Sequence, residues 1–121
     1  MVTHWVDEEG RYDGRRLGDW LDEVVRDVVT YADPVEVIVF GSVARGDDGP
    51  DSDIDLLVTV PEFEPGQRHL LMGRIRAAIS APVPIDVFVT TPEEFAKRRD
   101  VPGSVLYWPA REGKVVYERA A

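Results

Sequence analysis

Apolar positions early in the chain recur at intervals of three and four: Leu17, Leu21, Val24, Val25, Val28 and Val29. That spacing places them on one face and predicts an amphipathic helix from about Arg15 to Ala32, closed by Asp33-Pro34. The pattern then changes to short apolar runs, Val35 to Phe40 and Asp53 to Val60, bounded by Gly, Pro and Asp, which read as strands. Between them Gly41 to Arg45 predicts a turn entering a short helix, and Gly46 to Ser52 a loop. Leu70, Leu71, Ile75, Ala78 and Ile79 restore helical spacing over 68–80, until Ala81-Pro82-Val83-Pro84 breaks it. Ile85 to Thr90 reads as a third strand. Thr91, suited to an N-cap, and Pro92, suited to the first helical position, then open a short helix over 93–99. A helical or turn segment near 103–110 and a candidate edge strand from Lys114 to Glu118 complete the pattern.

The helix between the second and third strands requires a crossover, hence a parallel pair, whereas the shorter link between the first two permits an antiparallel one. The expected fold is α/β (α+β), a mixed β-sheet with helices packed on one face. Side chains alternate along a strand, so Ile54, Leu56, Val58 and Val60 share the helix-covered face, and Asp53 and Asp55 share the other. In the third strand Ile85, Val87 and Val89 face the helices and Asp86, the one charged residue of the run, projects opposite. If the second and third strands pair, Asp86 joins the other two carboxylates.

A length of 121 residues predicts a single domain, 1–121, with residues 1–14 as an N-terminal arm that Trp5 and Tyr12 can anchor. The absence of cysteine excludes disulfides and thiolate zinc sites, and only His4 and His69 offer imidazoles. Metal chemistry must then use oxygen ligands, which favours Mg²⁺ or Mn²⁺. A formal net charge of −9 disfavours bulk nucleic-acid binding; it suits a basic protein partner, or simply keeps the chain soluble. Consistently, Trp5, Trp20 and Trp108 read as packing or interface residues rather than a base-stacking platform. No run approaches eighteen apolar residues, and the N-terminus lacks a basic region followed by an apolar one, so a cytoplasmic location without membrane contact is expected.

The candidate chemistry lies between the first two strands. Gly41-Ser42 closes one strand, and after ten intervening residues Asp53-Ile54-Asp55 opens the next. Residues two apart on a strand have Cα atoms about 7 Å apart, close enough for both carboxylates to reach a shared pair of cations. Three convergent carboxylates, Asp53, Asp55 and Asp86, repel one another unless a cation neutralises them. Two Mg²⁺ ions would relieve that repulsion and clamp the oxygens of an in-line phosphoryl displacement, with Asp86 placed to take the proton of the incoming hydroxyl. Gly41 allows close approach of a phosphate to the backbone, and Ser42 offers a hydroxyl to the leaving pyrophosphate. Arg45 adds charge stabilisation there or, equally, pairs with the acidic loop. A calcium loop is a poor alternative: Asp51, Asp53, Asp55 and Glu62 fall at the ligand spacing, but Leu56 stands where the loop demands glycine. Walker and dinucleotide fingerprints are absent.

The pattern Gly41-Ser42, ten residues, Asp53-X-Asp55 and then Asp86 in a later strand resembles the nucleotidyltransferase superfamily that includes DNA polymerase beta. Gly41-Ser42-X-Ala44-Arg45-Gly46, the compact length and the ending from Pro102 to Glu118 are similar to its minimal nucleotidyltransferases. The resemblance implies metal ligation by Asp53, Asp55 and Asp86, with nucleotide-phosphate contacts at Gly41 and Ser42. It further implies ATP as substrate and a HEPN-family ribonuclease toxin as partner, with this chain as the antitoxin that transfers AMP to a toxin tyrosine. Two other readings remain open: an antitoxin that works by binding alone, and a nucleotidyltransferase acting on small molecules of the aminoglycoside type. The short length disfavours the last. A homo-oligomer also stays open.

Overall fold

The structure, a computed structural model, describes residue 8 and residues 11–120; Trp5 and His4 lie outside them. A 3-10 turn, Leu17–Trp20, leads into α1, Leu21–Ala32. There follow β1 (Glu36–Phe40), α2 (Gly41–Arg45), β2 (Ile54–Thr59), α3 (Arg68–Ala78), β3 (Ile85–Thr90), α4 (Pro92–Arg98), α5 (Tyr107–Glu112) and β4 (Lys114–Glu118). The four strands form one mixed sheet in the order β3-β2-β1-β4. β1 is antiparallel to β2 and β4, and β2 is parallel to β3, as the connection lengths require.

Strand alternation divides the core into two clusters. Val37 and Val39 of β1, Ile54, Leu56 and Val58 of β2, and Ile85, Val87 and Val89 of β3 meet Val24 and Val28 of α1 and Ile75 of α3. Leu56, Val58, Val24, Val28 and Ile75 are completely buried, each such aliphatic side chain contributing about 1.5–3 kcal/mol of transfer free energy. The two long helices thus cover the expected face. The opposite face is not bare: Ile38, Phe40 and Leu57 pack with Leu106, and Phe88 and Phe95 border them. The short helices α4 and α5 therefore add a smaller apolar cluster behind the acidic edge.

Element ends follow local chemistry. Asp33 adopts a left-handed conformation (φ 46°) and donates its N–H to Val29 O, ending α1 before Pro34. α3 stops at Ala78, two residues earlier than its apolar spacing predicts. There Asp27 Oδ2 accepts from both Ser80 N and Ser80 Oγ at 3.0 Å, drawing the chain out of the helix. Thr91 caps α4 as expected, its hydroxyl oxygen accepting from Glu94 N at 3.2 Å. Glu94 in turn binds Arg68 and accepts from Thr90 Oγ1 at 2.7 Å, tying the starts of α3 and α4 to the end of β3. Thr91→Ala is expected to cost about 0.5–2 kcal/mol, measured as a lower urea midpoint with an unchanged slope.

Candidate active site

Strand register brings the three carboxylates together. Phe40, the last residue of β1, lies opposite Asp55 of β2, and Asp55 lies opposite Asp86 of β3. The end of β1 and the starts of β2 and β3 are consequently side by side, with Asp53 one residue before β2. One oxygen from each of Asp53, Asp55 and Asp86 falls within 4.8 Å of the others. Asp86 is exposed and the other two are partly buried. Phe40 and Phe88, with ring centroids 5.7 Å apart, sit on the same side of the sheet as Asp55 and Asp86.

The electrostatic consequence is large. Burial, then the charge of Asp53, hydrogen bonding to it and the charge of Asp86, push Asp55 up to about 7, with Arg45 opposing. Hydrogen bonding to Asp53, then burial, raises Asp86 as well, with Arg76 opposing. The donors are oxygens only, converge on one point and repel one another when ionised, which is the donor set a hard divalent cation satisfies.

Because the native state holds the Asp55 proton more tightly than the unfolded chain, the associated stability is complete below about pH 4. It is lost as pH rises towards about 7. The melting temperature of wild type in EDTA is therefore expected to fall across that window relative to Asp55→Asn. Mg²⁺ or Mn²⁺ at neutral pH is expected to restore it. A wild-type-minus-variant difference that stays flat with pH, measured by thermal denaturation, contradicts this assignment.

Gly41 has φ 75°, and a Cβ built there would fall inside the contact distance of Asp55 Oδ2. The glycine is required by the neighbouring carboxylate as much as by any incoming phosphate. Ser42 follows it on α2, which Gly46 ends with φ 79° by donating to Ser42 O and Val43 O. Arg45, at the last turn, bonds Asp47 Oδ2 at 3.2 Å and Glu112 Oε1 at 3.0 Å. Its pairing with the acidic loop is thus realised, and Glu112 of α5 is a partner no local motif could reveal.

Of the tryptophans, Trp20 is buried in the main cluster and Trp108 is 60% exposed on α5. Tyr12, expected only as an anchor, packs on the main cluster. Its phenol also stands close enough to Asp51 and Asp53 to feel their charge. A cavity of about 370 Å³ lined by Thr59, Phe95 and Arg99 lies at the other end of the strands, away from the carboxylates. Thr59 Oγ1 there has no hydrogen-bond partner among the described residues.

A Gly-Ser turn after one strand and carboxylates on the next two, within a mixed sheet backed by two helices, define a nucleotidyl-transfer class of protein. The nucleotidyltransferase domain family model matches residues 21–112, and the chain belongs to that family. Its chemistry is the transfer of a nucleoside monophosphate. A crystal structure of a candidate nucleotidyltransferase from Sulfolobus solfataricus is similar, with a TM-score of 0.60 and 22% identity over 85% of this chain and 81% of that one. Such identity speaks for the fold. Among curated proteins none matches the chain. No helix among the described residues is long and apolar enough to cross a membrane.

Proposed function

We propose that this chain is a divalent-metal-dependent nucleotidyltransferase that moves AMP from ATP to a hydroxyl of a protein partner. In this reading it serves as the antitoxin of a HEPN-type ribonuclease toxin. The observation that carries the reading is the convergence of Asp53, Asp55 and Asp86 within 4.8 Å beside Gly41-Ser42. The three carboxylates would hold Mg²⁺ or Mn²⁺. When bound, the metal polarises the phosphoryl oxygens and favours ionisation of the attacking hydroxyl. Gly41 and Ser42 lie where the triphosphate tail would be received, and Arg45 lies within the field of Asp55. Asp86, the most exposed of the three, faces the acceptor and takes its proton. Partial burial leaves Asp55 less hydrated, which strengthens its hold on a cation.

A protein acceptor is supported by charge. The net charge of −9 suits a partner that is neutral or basic where the two meet.

The test supplies purified chain, Mg²⁺, labelled ATP and the product of the adjacent gene. The expected result is a nucleoside monophosphate on a hydroxyl side chain of that product, lost with Asp53→Asn and Asp86→Asn. If both variants still neutralise the partner in cells, the chain acts by binding alone. Label on an aminoglycoside with no partner present would make it a small-molecule enzyme.

A further inference from the structure

The second apolar cluster stops short of the sheet end that lies away from the carboxylates. Strand pairing sets Glu36 of β1 opposite Thr59 of β2, one pair further along the face that Ile38 and Leu57 share. Pro92, Phe95 and Ala96 of α4, with Arg99 just after it, fall at i, i+3, i+4 and i+7 and so share one side of that helix. These four bound the cavity of about 370 Å³ on one side, and Val35, Glu36 and Thr59 bound it on the other.

The polar groups of this cavity lack partners. Thr59 is 4% exposed, and its Oγ1 makes no hydrogen bond among the described residues. A buried hydroxyl left in that state costs stability until a ligand or water meets it. Glu36 stands directly opposite Glu118 of β4, a like-charge pair that strand pairing disfavours. Burial, then the charge of Glu118, raises the Glu36 carboxyl, and Arg99 opposes them through its charge, with no hydrogen bond between the two. Arg99 itself lies 5.0 Å from the Phe95 ring centroid. A carboxylate and a guanidinium thus line one cavity without closing on each other.

We infer that this cavity binds a small zwitterion with an apolar body, of the class of the free apolar α-amino acids. The ligand's ammonium donates to the Glu36 carboxylate and to Thr59 Oγ1, and its charge offsets the repulsion from Glu118. Its carboxylate accepts from Arg99, whose planar guanidinium suits that geometry. Its hydrocarbon side chain lies against Val35, Pro92 and Phe95, as the apolar walls of ligand sites require. A plain amine leaves Arg99 unmet, and a plain carboxylic acid leaves Glu36 and Thr59 unmet. Thr59 is four residues along β2 from Asp55, about 13 Å at the rise of a strand. The site is therefore distinct from the three aspartates and needs no metal.

The experiment titrates the full chain in EDTA with L-leucine and L-phenylalanine, read by calorimetry and by amide chemical shifts. Glycine, leucinamide and isocaproate serve as comparisons that lack the apolar body, the carboxylate and the ammonium in turn. The expected result is saturable binding of leucine or phenylalanine, with shifts centred on Glu36, Thr59 and residues 92–99. Each comparison compound is expected to bind at least about tenfold more weakly. Thr59→Val keeps the side-chain shape and removes a hydroxyl that bonds nothing. It is expected to hold or raise the melting temperature of the free chain while weakening leucine binding about tenfold. Ala96→Leu, which places a larger side chain at the cavity, is expected to block binding.

No saturable binding of either amino acid overturns the inference. Leucinamide or isocaproate binding as tightly as leucine overturns the zwitterion assignment. Leucine binding untouched by both Thr59→Val and Ala96→Leu overturns the site. Because the titration involves neither metal nor nucleotide, each of these failures leaves the nucleotidyltransferase reading standing.

Discussion

Asp55→Asn is expected to abolish nucleotidyl transfer while giving a more stable protein in the absence of metal. The amide keeps the shape of the side chain and its place opposite Phe40 and Asp86, but supplies no charge to a cation. Metal stabilisation of the reacting phosphate contributes several kcal/mol, so transfer should fall by roughly a thousandfold or more. The same change removes a carboxylate that burial and its neighbours Asp53 and Asp86 make costly to ionise. In EDTA at pH 8 the variant should therefore melt above wild type. Below about pH 4, where Asp55 is protonated in the folded and the unfolded chain alike, the two should converge. A variant that loses both activity and stability at pH 8 would identify Asp55 as a structural residue.

The second large effect is expected at Gly41. Alanine there pays for a left-handed backbone, about 1–2 kcal/mol, and its Cβ collides with Asp55 Oδ2. The carboxylate must move away from Asp53 and Asp86, so Mg²⁺-dependent nucleotide binding should collapse together with transfer. Gly46→Ala is the matched control. It has a similar φ of 79° and nothing within 4 Å of the new Cβ, so it bears the backbone term alone. Calorimetry and melting curves on the pair separate strain from displacement of the carboxylate. Equal losses of nucleotide binding in the two variants would show that backbone strain, not the contact with Asp55, is what matters.

Much of this arrangement was legible in the chain because it rests on local periodicity. The apolar alternation of β2 and β3 located the strands, and alternation put Asp55 and Asp86 on one face. The crossover length made those strands parallel, and register then set the two carboxylates opposite each other. What depends on distant partners was not legible. Leu106 completes the second cluster from a segment whose own pattern is irregular. Glu112 holds Arg45 across 67 residues. Helical spacing carried α3 through Ser80, but the side chain of Asp27 ended it at Ala78. Gly41 was expected to admit a phosphate, and only the register of β1 against β2 reveals the carboxylate it must clear. Tyr12 stood out as an anchor, and it packs on the main cluster as one.

The β1–β2–β3 ladder also separates what is constrained in this molecule from what is free to drift. Asp55 and Asp86 are spaced by strand pairing, and the segment 46–52 carries the chain from α2 back to β2, with Asp47 bonded to Arg45 of α2. Its internal ties are short-range, Gly49 N to Ser52 Oγ at 2.9 Å and Ser52 N to Gly49 O at 3.0 Å. Lengthening such a connector costs little, about 0.6 kcal/mol for each doubling. That loop is therefore the natural place for a graft: a recognition peptide inserted between Asp47 and Gly49 would sit beside the acidic edge without altering the spacing of Asp55 and Asp86. The spacing of the two carboxylates is, in this sense, insulated from the length of the loop beside them.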